Sequence, residues 1–216
     1  MIAEDLLLLA LHDRTGSKES GTQALEYGLS GALIVDLALN NKIELKEEKI
    51  TVIDRQSTGD ELLDETLQIL ANSEKDKEAK HWIREITNKV KNLQKRLSDR
   101  LVAEGILIKK KEKFLGIFTR HRYPSINPLY ELGIREEIQS ILLRNKEPDE
   151  RKALLISLVN ACKILPVLFP NKSERKFAEK QAESITNSDI IGKGIKEIIN
   201  EINAALMLIV IHVAVL

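Results

Sequence analysis

The sequence predicts a mostly α-helical fold carrying two short β-hairpins, and three observations lead there. Only ten Gly and five Pro punctuate 216 residues. Apolar residues recur at three- and four-residue spacing over most of the chain, and in two places only the period shortens to two. With 43% hydrophobic and 31% charged residues the chain lies far from disorder and is long enough for one substantial core.

Residues 2–12 read as a short apolar helix, followed by the turn residues Asp13, Gly16 and Ser17. A second helix runs through Gly28-Leu29-Ser30-Gly31 to Leu39. Residues 42–45 and 50–53 then alternate around the charged turn 46–49, a hairpin spanning about 42–53. Thr58-Gly59-Asp60 opens a helix with Leu62, Leu63, Thr66, Leu67 and Leu70 on one stripe and acids in its first turn, where the helix dipole favours them. A charged linker, 72–78, precedes a long helix over 79–104, whose Ile86, Val90, Leu93, Leu97 and Leu101 face the core and which Gly105 ends.

A second hairpin is expected over about 106–118: Ile106, Leu107 and Ile108, a charged tip at 109–113, then Phe114, Leu115, Ile117 and Phe118. Asn127-Pro128 starts a helix to Leu143, Pro148-Asp149 another to about Leu168, and Pro170-Asn171 a third to Ile185. Residues 189–216 close the chain. Their last 13 residues are nearly pure hydrocarbon, shorter than the roughly 20 a bilayer span requires, and read as a buried closing helix, with a docking tail for a partner or membrane as the alternative. No repeat or long linker divides the chain, so one domain over 1–216 is expected.

Charge is sorted along the chain. Residues 80–122 hold thirteen Lys and Arg against four acids, while 1–79 hold eight basic residues against seventeen acids. Such segregation costs self-repulsion unless the basic segment meets something anionic: nucleic acid, an anionic lipid surface, or the acidic first third. On the expected long helix Arg84, Lys91 and Lys95 form one row and Lys89, Arg96 and Arg100 another. The following hairpin sets half of the chain's phenylalanines beside its densest cations, a combination suited to a membrane interface. Residues 93–118 also imitate the helix and wing of a winged-helix DNA binder, without the aromatic and carboxamide side chains that read bases. A self-associating scaffold, with Phe114 to Phe118 in a protein interface, is a third reading.

Catalytic signals are poor, and no enzyme is expected. His12, His81, His121 and His212 lack metal-ligand spacing, and Gly192-Lys193-Gly194 lacks the flanks of a phosphate loop. Cys162, the single cysteine, sits in an apolar run and reads as core in a reducing compartment. No metal or other cofactor is called for. Leu6 to Leu9 follow Glu4 and Asp5 rather than a basic segment, so an export signal is not expected.

Four segments resemble, in order and spacing, the Golgi phosphoprotein 3 family: residues 6–13, 28–39, 58–65 and 96–107. The run Thr58-Gly59-Asp60-Glu61-Leu62-Leu63-Asp64-Glu65 is the most specific. The resemblance, which extends to Trp82, the 114–118 segment and the helix start at 149–155, implies a single helical domain around a central bundle. It also implies a cytoplasmic, peripheral membrane protein at the Golgi cytosolic face. Eukaryotic members bind phosphatidylinositol 4-phosphate and act as adaptors for the cytoplasmic tails of glycosyltransferases; some self-associate. The family's headgroup pocket uses a tryptophan, an arginine in the Gly-Leu-x-Gly motif, and two basic residues a turn apart. Here those positions are Gly21, Ser30, Lys91 and Gln94, of which Lys91 alone is charged, with Lys95 adjacent. The implied headgroup residues are Lys91, Lys95, Gln94 and Ser30, the ligand an anionic phospholipid, and the membrane-contacting or oligomer-forming hairpin Phe114, Leu115, Ile117 and Phe118. Because charge-assisted bonds are what outcompete water for a phosphomonoester, a divergent or prokaryotic member that reads generic anionic lipid, or none, fits these replacements equally well.

Overall fold

The computed structural model describes residues 1–12, 15–17, 24–114 and 118–214; for 113–114, 118–120 and 210–214 it describes backbone only. Its centre is helix α2 (Leu25–Leu39), which is apolar nearly all round and therefore buried nearly all round, from Gly28 to Ala38. Helices α1 (Ile2–Ala10), α3 (Glu61–Ala71), α4 (Ala79–Lys89), α5 (Leu93–Ala103), α7 (Glu150–Ala161) and α10 (Lys193–Ala214) all pack against it. Helix α6 (Pro128–Arg144) and the short α8 (Leu165–Leu168) flank α1, and α9 (Lys172–Thr186) covers α6 and α7 from outside.

Two glycines set how closely the central helix is approached. A methyl on Gly28 would lie 2.2 Å from Cys162 Sγ, and one on Gly31 would lie 3.0 Å from Ile202 of α10. The Gly-Leu-Ser-Gly motif thus admits α7 and α10 to α2. Cys162 is fully buried, and burial pushes its thiol up to about 12, so it behaves as core.

Buried polar groups fasten the helix ends. Asp36 of α2 accepts the backbone N–H of Ile2 at 3.1 Å and of Ala3 at 3.4 Å, capping α1. Asp60 is the N-cap of α3, accepting from Leu62 and Leu63 at 2.8 and 3.0 Å, while Asp64 takes the hydroxyls of Ser57 and Thr58. The acidic motif at 58–65 is therefore first a capped turn. Asp149 and Asn171 cap α7 and α9 in the same way.

The first hairpin lies where its alternation predicts. β1 (Ile43–Lys46) pairs antiparallel with β2 (Lys49–Val52), Ile43 opposite Val52, through a two-residue turn in which Glu47 and Glu48 are both left-handed. The second hairpin is displaced by four residues from the expected 106–118. β3 (Lys110–Phe114) pairs with β4 (Phe118–Arg122), Lys110 opposite Arg122 and Phe114 opposite Phe118. The charged run is strand, not tip, and residues 115–117 lie outside the described residues. Ile106 and Leu107 supplied the misleading alternation: both are buried, and Leu107 bridges Ser125 at the hairpin's root.

Two expected long helices are each broken. The 79–104 rod divides at Val90–Asn92, where Asn92 is left-handed with φ 56°. The helix expected to run from Pro148 to about Leu168 stops at Ala161; left-handed Lys163 separates it from α8. In the closing helix Ala205, Leu206 and Ile209 are buried whereas Met207 and Leu208 are each 54% exposed, so the apolar C-terminal run is only partly covered. No helix among the described residues is long and apolar enough to cross a membrane.

Candidate functional site

The break between α4 and α5 makes a cleft. Helix α4 ends at Lys89 and α5 restarts at Leu93, and the opening, about 430 Å³, is lined by Ser30 and Glu26 of α2, Thr87 of α4, Gln94, Lys95 and Ser98 of α5, and His121 and Tyr123 at the end of β4. Its lining sets apolar Leu29, Val90 and Leu93 beside polar side chains and the Glu26 carboxylate. Ser30 Oγ and Thr87 Oγ1 stand 2.8 Å apart, sharing one hydrogen bond, while Thr87 donates back to the Ile83 carbonyl at 2.7 Å and Ser98 to that of Gln94 at 2.8 Å.

The rim is charged and centres on Asp99. Lys95 Nζ donates to Asp99 Oδ2 at 2.7 Å, Lys109 Nζ to Asp99 Oδ1 at 2.8 Å, and the Tyr123 hydroxyl to the same oxygen at 3.2 Å. Partial burial acts to raise the Asp99 carboxyl, but the bonds from Lys109, Lys95 and Tyr123 override it and hold the group at about 2. Burial, then the Asp99 charge, pushes the Tyr123 phenol up to about 12. One carboxylate thus ties α5 to both chain segments at the hairpin's root.

The expected headgroup residues divide. Ser30, Gln94 and Lys95 all line this cleft. Lys91 does not: it lies in the helix break, exposed, with Nζ turned back to the Asn88 carbonyl of its own segment. The seven-then-four spacing that placed it in a row with Lys95 assumed an unbroken helix, and left-handed Asn92 cancels that phase. Gly21 lies outside the described residues, as do Leu115 and Ile117; Phe114 and Phe118 are described by backbone alone, opposite one another at the end of the ladder.

Much of the basic segment is neutralised within the chain. Arg96 bonds Glu61 at 2.8 Å and Glu65 at 2.5 Å, and Arg100 bonds Asp60 at 2.6 Å and lies 3.9 Å from Glu4. Lys89 meets Glu85 at 2.6 Å, and Arg122 meets Glu112 at 2.8 Å. Among the described residues, Arg84, Lys91, Lys110 and Lys111 are exposed and form no ion pair. No group of metal-ligating side chains occurs among the described residues.

Sequence reasoning missed Thr87, Asp99, His121 and Tyr123. For Asp99 a signal existed: it stands four residues after Lys95, the spacing at which opposite charges meet on a helix. His121 and Tyr123 carried none, because their approach to α5 depends on the hairpin register.

The family model described as Golgi phosphoprotein 3 (GPP34) matches residues 2–202. The chain is also 25% identical over 162 residues to the vacuolar protein sorting-associated protein 74 of Schizosaccharomyces pombe, covering 65% of this chain and 48% of that protein. It spans about half the length of that curated relative.

Proposed function

The chain belongs to the Golgi phosphoprotein 3 family, and from that premise we propose that it is a non-enzymatic peripheral membrane adaptor. In this reading it acts as a cytoplasmic protein that rests on an anionic bilayer at the Golgi cytosolic face. The observation that carries the reading is the cleft between α2 and the α4–α5 break, which brings Ser30, Gln94 and Lys95 together beside the root of a hairpin bearing unpaired Lys110 and Lys111.

Lys95 supplies the cation for a lipid phosphate, Gln94 and Ser30 supply neutral donors, and Lys91 adds only to the field outside. Since Lys95 is already bonded to Asp99, a phosphate must compete with a carboxylate for it. Selectivity for phosphatidylinositol 4-phosphate over other anionic lipids is therefore small. The apolar segment Phe114, Leu115, Ile117 and Phe118 enters the acyl boundary, and the cytoplasmic tails of membrane enzymes are the clients. Each Lys near a charged bilayer contributes about 1 kcal/mol, so attachment is reversible and falls with salt.

Vesicle flotation tests this. Vesicles of phosphatidylcholine alone should recover little protein. Adding phosphatidylserine or phosphatidylinositol 4-phosphate at equal total charge should raise recovery to similar extents at low salt. Equal recovery with neutral and anionic vesicles would refute the reading, and strong preference for the phosphoinositide would refute its account of selectivity.

A further inference from the structure

Helix α10 changes character along its outward face. Its buried side is apolar throughout, with Ile198, Ile199, Ile202, Ala205, Leu206 and Ile209 in the core. Its outward side begins polar, with exposed Glu197 and Asn200 and half-buried Glu201, and turns apolar at exposed Ala204, Met207 and Leu208, three and four residues apart on one stripe. No ionisable side chain other than His212 follows Glu201, and the helix continues through Val210-Ile211-His212-Val213-Ala214. A helix that only closes a core needs an apolar inner face alone, whereas one without charge on any side is stable inside protein or inside lipid. The change begins after residue 202, where the family match ends.

Contacts along the bundle fix which end this segment reaches. Ile202 and Leu206 lie against Gly31 of α2. Helix α7 runs antiparallel to α2, with Arg151 3.9 Å from Asp36 near one end and Cys162 against Gly28 near the other. Helix α10 runs with α7: Gly192 donates to Glu150 at 2.7 Å, and Asn203 to Ser157 at 2.7 Å. Past Leu206, α10 therefore heads for the first turn of α2, whose Glu26 lines the cleft. Helix α4 points the same way. Burial, then the charges of Glu48 and Glu78, raises the Glu201 carboxyl, which sets α10 beside the start of α4, and Thr87 near the end of α4 bonds Ser30, next to Gly31. From Leu206 to Ala214 the helix rises roughly 12 Å, against roughly 9 Å from Gly31 back to Leu25, so α10 reaches the end of the bundle where the α4–α5 break exposes Lys91.

We propose that the apolar end of α10, from Ala204 onward, is a second lipid contact that enters the acyl layer of the bilayer beside the cleft. This inference rests on the lipid reading of the cleft given above and adds the apolar half of that contact. Two observations favour lipid over a second copy of the chain. The segment reaches the same end of the bundle as Lys91 and Lys95, which then sit at the level of the lipid phosphates. It also carries no formal charge anywhere past Glu201, whereas a pair of helices would cover one stripe and leave the rest in water. Residues 204–214 rise roughly 16 Å, about half of a hydrocarbon core of about 30 Å, so the segment enters one leaflet without spanning the bilayer. Apolar burial is not screened by ions, so this contact supplies the part of membrane attachment that survives salt.

The test uses the intact chain with Leu208→Cys carrying a nitrobenzoxadiazole label; Cys162 is fully buried and shielded from the reagent. Vesicles of phosphatidylcholine with phosphatidylserine are prepared with and without bromine on the acyl chains. The vesicles should shift the label emission to the blue, and the brominated chains should quench it. Met207→Asp with Leu208→Asp, both at exposed positions, should lower affinity for the same vesicles about tenfold and remove the binding that persists at about 0.5 M salt, with the unfolding midpoint nearly unchanged. Recovery of protein on anionic vesicles with an unquenched label, or with unchanged affinity of the double variant, overturns this inference and leaves the lipid reading of the cleft standing. No recovery on any vesicle overturns both. A label that responds only to protein concentration, with a matching rise in sedimentation coefficient, assigns the end of α10 to a second copy of the chain and overturns the lipid contact.

Discussion

Replacing Asp99 by asparagine should make the protein bind anionic membranes more tightly while folding less stably. Asp99 holds Lys95 and Lys109 at 2.7 and 2.8 Å on the rim of the cleft, so its charge screens the cations that the lipid reading requires. The carboxamide of Asp99→Asn would keep the shape, remove one negative charge and release Lys95. At about 1 kcal/mol per charge near an anionic surface, vesicle affinity should rise about fivefold at low salt. The stability cost follows from the same bonds. A carboxyl held at about 2 rather than its ordinary 3.8 corresponds to roughly 2 kcal/mol unscreened, and because the Asp99 side chain is 34% exposed the realised loss is about 1 kcal/mol. As a depressed carboxyl, Asp99 stabilises above its unfolded value near 4, and the contribution is lost as pH falls through about 2. Flotation with phosphatidylserine vesicles at neutral pH, paired with urea unfolding, reads both effects. Lys95→Ala added to Asp99→Asn should return affinity towards the parent. Should the single variant bind no tighter while remaining folded, Lys95 and Lys109 are not cations available to lipid, and the role assigned to the cleft is wrong.

Three further outcomes follow from packing, titration and charge. Gly28→Ala places a methyl 2.2 Å from Cys162 Sγ; the overpacking, about 1–3 kcal/mol, exceeds the gain of about 1 kcal/mol in helix propensity, and Cys162→Ala in the same chain should recover most of the thermal midpoint, whereas simple additivity would show that the two do not touch. Burial raises Asp36 to about 6 despite the α1 N–H groups it caps, so its folded value lies above its unfolded one, and stability should increase as pH falls from about 6 towards 4; Asp36→Asn should flatten that slope in urea titrations by up to roughly 3 kcal/mol. Lys110→Glu with Lys111→Glu should lower anionic-vesicle recovery without moving the unfolding midpoint, while Arg96→Ala, which breaks bonds to Glu61 and Glu65, should do the reverse.

Local chemistry made most helix starts legible. Asp60, Asp149 and Asn171 are each short polar acceptors just before an apolar-periodic run, and each caps the helix it announces. The breaks were not legible for the converse reason. Asn92 enters the left-handed region, which asparagine tolerates better than most residues, and Lys163 enters it without that preference; neither position carries a glycine to mark it. The second hairpin misled because Lys110, Lys111 and Glu112 of β3 are all exposed and carry no apolar alternation, while the buried connection before them has one. Since Lys109 and Tyr123 reach Asp99 from either side of that ribbon's root, losing its register meant losing half of the cleft's rim.

Charge sorting, the strongest signal in the sequence, resolves into two separate arrangements. The inner one joins distant parts of the chain and is structural in effect: Asp60, Glu61 and Glu65 of the capped acidic motif pair with Arg96 and Arg100 of α5. Those arginines are half-buried and already ion-paired, so neither is free to meet an external phosphate. The outer arrangement, among the described residues, comprises Arg84, Lys91, Lys110 and Lys111, exposed and without an ion pair on the α4–α5 segment and the hairpin. The excess of nine positive charges over 80–122 therefore overstates the field a membrane would feel, since the acidic first third already consumes part of it. On the proposed reading, the cations open to lipid are those the acidic motif leaves over on α4, the helix break and the hairpin, with Lys95 of α5 available only in competition with Asp99.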